Sequence, residues 1–73
     1  MDNTPAPNCV KVIDRWRDGT SPHVAIRNDC RSSQRVKVIW AYGSDSECIQ
    51  LVRGRAVQHG SGAFASFDGI ARC

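Results

Sequence analysis

The side chains able to do chemistry are few, and their spacing decides which chemistry is open to them. Four cysteines, Cys9, Cys30, Cys48 and Cys73, stand with two histidines, His23 and His59. Structural zinc takes its ligands in close pairs such as C-x-x-C or H-x-x-x-H, and no such pair occurs. The spacing argues against a metal centre; no metal and no cofactor are expected, and the histidines read as surface residues. The carboxylates Asp14, Asp18, Asp29, Asp45, Glu47 and Asp68 show no recognisable acid–base pairing. Ser61, between glycines in HGSGA, lacks the strand-to-helix context of a nucleophile elbow. A chain of 73 residues rarely encloses a pocket deep enough for catalysis, so an enzyme is not expected.

What remains is recognition chemistry. Trp16 and Arg17 stand beside the turn signal Asp18-Gly19. An exposed indole next to a guanidinium, on a turn held between disulfide-anchored strands, is a pre-organised hot spot: the indole fills a pocket or stacks on aromatics, and Arg17 pairs with a carboxylate. The plainer alternative is a core Trp16 and a solvated Arg17. Trp40 reads as core or as a plug between sheets, and Tyr42, beside a turn, as a surface aromatic and a secondary contact.

The cysteines are better explained as staples. A short chain with an even number of cysteines and many turn residues favours two disulfides. Three connectivities are open, of which the sequential one, Cys9 with Cys30 and Cys48 with Cys73, is favoured. Each bridge would then close a loop contributing roughly 3 kcal/mol in the chain-entropy model. Disulfides imply an oxidising compartment, so the protein is expected to be secreted and extracellular.

The elements that must position these residues are strands. RVKVIWAY at Arg35–Tyr42 carries the cleanest periodicity: Val36, Val38, Trp40 and Tyr42 share one face, Arg35 and Lys37 the other. GSDS then turns into a fourth strand, Glu47 to Arg53, with Arg35–Tyr42 as the central strand. Upstream, Cys9–Trp16 reads as a first strand, WRDGTSPH as the most prominent loop, and His23–Asn28 as a second strand. Downstream, Ala56–His59 reads as a short edge strand. Ala63–Cys73 reads as a sixth strand, bulged at Asp68-Gly69 in preference to splitting into a hairpin. Six short strands at this spacing indicate an all-β sandwich or small barrel.

Residues 1–8, with Pro5 and Pro7, read as a flexible leader before a single stapled domain over 9–73. The leader has neither the basic start nor the apolar run of a secretion signal, so the chain reads as a mature form. No segment is long and apolar enough for a membrane span. The net charge of +3 comes from scattered residues, Arg15, Arg17, Arg27, Arg31, Arg35, Arg53, Arg55 and Arg72 among them, which is a solvated cationic surface and not a nucleic-acid footprint. Short strands with charged edges favour a monomer.

Several anchors in fixed order carry a resemblance. They are APNCV at Ala6–Val10, the Trp16-Arg17 pair, VKV at Val36–Val38, Cys48, and the closing Ala71-Arg72-Cys73. Together they resemble the small secreted microbial α-amylase inhibitors of the tendamistat type, over nearly the whole chain. The resemblance implies a six-stranded β-sandwich of two three-stranded antiparallel sheets, with two sequential disulfides. It also implies a partner, α-amylase or another secreted glycosidase, whose active-site cleft is blocked by a Trp-Arg-Tyr turn. Trp16 and Arg17 match the first two positions of that triplet, whereas Asp18 stands where the family has tyrosine. The contact residues expected are therefore Trp16, Arg17, Asp18, Gly19 and Tyr42. The alternative is a cationic secreted binding or antimicrobial module on the same scaffold with a different target.

Overall fold

Six strands, β1 (Val10–Asp18), β2 (Ser21–Asn28), β3 (Gln34–Ala41), β4 (Ile49–Leu51), β5 (Ala56–Gly60) and β6 (Ser66–Arg72), form two three-stranded antiparallel sheets in the computed structural model, which describes residues 4–73. One sheet has the order β1-β2-β5 and the other β4-β3-β6. The disulfides pair Cys9 with Cys30 and Cys48 with Cys73, with Cα atoms 4.9 and 5.8 Å apart. The expected sandwich, its central strand β3, its edge strand β5 and the sequential pairing are all present.

The core sits between the sheets and follows the period-two pattern. Val24 and Ile26 from β2 meet Val36, Val38 and Trp40 from β3, with Val10, Leu51 and Ala65 closing the rim. β6 is one bulged strand, as expected: its register against β3 shifts between Ile39↔Gly69 and Trp40↔Phe67, which leaves Asp68 unpaired.

Four expectations need correction. The segment WRDGTSPH is not a long loop, because the strands run almost into each other and pair Asp18 with Ser21, leaving Gly19-Thr20 as a two-residue turn. The fourth strand shrinks from Glu47–Arg53 to Ile49–Leu51. Side chains from the preceding loop take the place of its upstream half: Val38 N–H donates to Ser46 Oγ at 2.7 Å and Trp40 N–H to Asp45 Oδ1 at 2.9 Å, while Ser46 N–H donates to the Val38 carbonyl. Lys37 was expected on a solvated face and is only 6% exposed. A central strand has neighbours on both sides to cover an aliphatic stem. Tyr42 does not continue the buried face of β3, which ends at Ala41; its φ of 59° swings the ring outward.

The leader expectation reaches residues 1–3, which lie outside the described residues. In the described part, Ala6 N–H donates to the Ile70 carbonyl at 2.9 Å, Arg72 N–H donates to the Thr4 carbonyl at 2.8 Å, and Pro5 bridges Ala71. This segment covers the free edge of β6.

Asn28 is fully buried and ties the two sheets. Its Nδ2 donates to the Leu51 carbonyl at 2.7 Å and to the Ser32 carbonyl at 3.0 Å, and its Oδ1 accepts from Cys30 N–H at 2.8 Å. Its own N–H donates to the Arg55 carbonyl at 3.0 Å and its carbonyl accepts from Gly54 N–H at 2.7 Å. Asn28→Ala strips three partners at once and should cost roughly 3 kcal/mol, because two carbonyls and one N–H lose their bonds in a dry site. Thermal unfolding should show a midpoint lower by more than about 10 °C, with both disulfides still formed.

At the surface, Arg27 forks onto Asp29, Nε to Oδ1 at 2.7 Å and Nη2 to Oδ2 at 3.1 Å. That hydrogen bond, aided by the charges of Arg27 and Lys11, holds the Asp29 carboxyl below its ordinary range. The resulting stabilisation is whole above the ordinary aspartate pKa of about 3.9 and fades as pH falls through the lower folded value. Asp29→Asn should therefore flatten the loss of thermal midpoint between about pH 5 and about pH 2, by a small amount because the pair is solvent-exposed.

Candidate functional site

The β1–β2 hairpin carries Trp16, Arg17, Asp18 and Gly19 at its tip. Gly19 takes a φ of 63°, and Thr20 is not among the residues with positive φ, which is the pattern of a type II′ turn with glycine at its first central position. This turn matches the twist of paired strands, so the hairpin closes without splaying. Arg17 Nη1 donates to the Thr20 carbonyl at 3.0 Å and ties the tip together.

Register sets which way each side chain leaves the hairpin. Arg15 pairs with Val24 and Arg17 with Pro22, whereas Trp16 pairs with His23 and Asp18 with Ser21. Val24 is a core residue, so Arg15 and Arg17 lie on the face turned toward the other sheet, and Trp16 and Asp18 on the face turned away. Trp16 and Arg17 are thus neighbours in sequence on opposite faces of the arm. The Arg15 guanidinium lies 5.3 Å from the centre of the Phe67 ring in β6, within cation–π range. A groove of about 280 Å³ opens between the sheets here, its walls including Arg15, Arg17, Trp40, Ser66 and Phe67.

On the outer face Trp16 is half-buried and stacks on His23, with ring centres 5.5 Å apart and planes 11° from parallel. Neither plain alternative for this residue fits: it is not in the core cluster, and it is not free in solvent. Trp40 is the core tryptophan, 3% exposed. Its Nε1–H donates to His59 Nδ1 across the sheets at 3.0 Å, and its ring meets Phe67 edge-on at 5.9 Å. Both histidines are therefore half-buried ring partners of tryptophans, and neither is the plain surface residue expected.

Tyr42 is 89% exposed, and Phe64, which sequence reading passed over, is 90% exposed. Both lie in loops at the hairpin end of the sandwich. Ser61 N–H donates to the Pro22 carbonyl at 3.0 Å. Gly43 packs so closely against the next loop that an added Cβ would come within 2.6 Å of Ser61 Oγ and 2.8 Å of Ala65 Cβ. His23 was also missed as a partner of Trp16, although one signal was available. Reading Gly19-Thr20, with glycine at the first central position, as a two-residue hairpin turn fixes the register, and that register sets Trp16 opposite His23.

Among the described residues no cluster of histidine, cysteine, aspartate or glutamate could hold a metal ion, and no helix is long and apolar enough to cross a membrane. The β1–β2 hairpin thus carries a half-buried, stacked tryptophan beside two arginines on a disulfide-stapled β-sandwich. Residues 5–73 match the model of the family described as Alpha amylase inhibitor. The chain belongs to that family. A search of curated proteins found no match. The match spans both disulfides and all six strands, so the whole sandwich is the family's domain.

The turn itself generates a test. Beyond Gly19 and its two neighbours in the chain, no heavy atom lies within 4 Å of where a Cβ on Gly19 would sit, so only backbone strain opposes a side chain there. Gly19→Ala should lose about 1 kcal/mol, and Gly19→Asn less, because asparagine tolerates the left-handed region. Urea unfolding of the two variants measures the difference.

Proposed function

We propose that this chain is a secreted inhibitor of an α-amylase, or of another secreted glycosidase, that blocks the active-site cleft with the hairpin arm Trp16–Gly19, Tyr42 making a flanking contact. The observation that carries this reading is the state of Trp16 in a chain of this family: half-buried, stacked on His23, at the base of a two-residue turn. A ring already held in place loses little conformational freedom on binding, which is what makes a residue a hot spot. The Cys9–Cys30 disulfide closes the far end of the β1–β2 ladder from which the arm projects. Nothing in this mode of action needs a cofactor or a catalytic group of the inhibitor's own.

Chemistry on the two faces of the arm divides the work. Glycoside hydrolases act through paired carboxylates flanking the scissile bond. Arg15 and Arg17, together on the groove face, bring positive charge to such a site. Trp16 offers a flat apolar ring on the other face. Asp18 is the discordant residue, because a carboxylate brought into an acidic cleft meets like charge, and such juxtaposition costs several kcal/mol.

Steady-state inhibition of an α-amylase tests this directly. The oxidised wild type should inhibit competitively, and Trp16→Ala should raise the inhibition constant at least about 30-fold, the scale of a hot-spot truncation. Asp18→Tyr should tighten inhibition by about 10-fold or more, since it removes the repelled charge and adds an aromatic contact. A correctly oxidised wild type that inhibits no amylase would sink the reading and turn attention to a cationic module with another target.

A further inference from the structure

We propose that His23 is a positioning residue for Trp16, and that Gly60 is glycine because His23 must lie flat across it. The three form one row over the outer face of the sheet: Trp16 pairs with His23 in β1–β2, and His23 pairs with Gly60 in β2–β5. β1 is an edge strand, so Trp16 has a cross-strand neighbour on one side only. That neighbour is His23, and the two rings are within 11° of parallel. Without it the indole would stand on an open edge with free rotation about its side-chain bonds.

His23 in turn needs room. A Cβ placed on Gly60 would lie 2.3 Å from both Cε1 and Nδ1 of the imidazole and 3.0 Å from Nε2, so the ring covers the space a side chain would fill. The row is anchored at its far end by the Ser61 N–H bond to the Pro22 carbonyl at 3.0 Å, which holds the end of β5 against the start of β2. Gly60 has an ordinary backbone conformation and is not among the glycines with positive φ. Turn geometry does not explain the glycine; the imidazole above it does.

Neither His23 nor Gly60 has to touch a partner for this to matter. Their effect passes through the orientation of Trp16. The consequence for inhibition rests on the reading of Trp16 as the contact residue, but the orientation itself does not, and the two are tested separately. In the free protein labelled with 15N, the side-chain order of Trp16 is read from relaxation at its indole Nε1, with buried Trp40 as internal reference. Wild-type Trp16 should be as ordered as Trp40. His23→Ala should drop it from the rigid range, about 0.85, to below roughly 0.6, and His23→Phe, which keeps a flat ring, should restore it. Gly60→Ala should loosen Trp16 in the wild-type background and do nothing further in His23→Ala, because the ring it displaces is then absent.

Where the wild type inhibits an amylase, His23→Ala and Gly60→Ala should each weaken inhibition about 2- to 10-fold, in step with the loss of order, and His23→Phe should recover it. Unchanged Trp16 order in His23→Ala overturns the proposal. An equal effect of Gly60→Ala with and without the imidazole overturns the part assigned to Gly60. Failure of the wild type to inhibit counts against the proposed target alone, and the relaxation data then decide the positioning role.

Discussion

The buried carboxamide of Asn28 is the interaction on which the two-sheet arrangement depends. It stands at the end of β2 in one sheet and donates to the Leu51 carbonyl of the other, while its remaining groups hold the connections at residues 30–32 and 54–55. A polar residue in a dry site stabilises only when every donor and acceptor is used, and here all of them are. The disulfides do a different job. Cys9 and Cys30 flank β1 and β2 of one sheet; Cys48 and Cys73 flank β4 and β6 of the other. Each staple joins strand ends within its own sheet, so contact between the sheets rests on the valine-rich core, on Asn28 at one end and on the Trp40–His59 hydrogen bond at the other.

The position of the β1–β2 hairpin follows this division. Asn28 and the Cys9–Cys30 disulfide hold one end of the sandwich, and the β1–β2 hairpin projects from the opposite end. There the sheets part enough to open a groove, Arg15 leans on Phe67 across it, and the loops bearing Tyr42 and Phe64 pack beside the hairpin base. The stack beside His23 holds Trp16 half-buried, while the rings of Tyr42 and Phe64 are left exposed. Tyr42 in the left-handed region fits this pattern, since a conformation unfavourable for an aromatic residue persists only where the surroundings enforce it.

Much of this was legible in the chain itself. The alternation of Val36, Val38 and Trp40 and the β-branched residues of β2 mark buried faces because a strand's side chains alternate and one face must leave water. The bulge at Asp68-Gly69 and the edge position of β5 followed from turn residues and length. Errors arose where a side chain stood in for backbone, as Asp45 and Ser46 do along β3, or where a proline and polar residues suggested a loop although the strands continued through them. Pro22 is tolerated because it pairs at the last turn of the hairpin, where a missing N–H leaves little of the ladder unmade.

By itself, then, the sequence determined the strand periodicity, the stapled small-domain class, the family anchors and the pair Trp16-Arg17 as candidate contacts, since all of these are local patterns of residue type and spacing. Only the tertiary structure decided that Trp16 and Arg17 face opposite ways, that His23 lies under Trp16 and over Gly60, and that Asn28 and not a disulfide ties the sheets. Those facts depend on register and on which strands become neighbours, and a one-residue shift in pairing would exchange every face while leaving the sequence pattern unchanged.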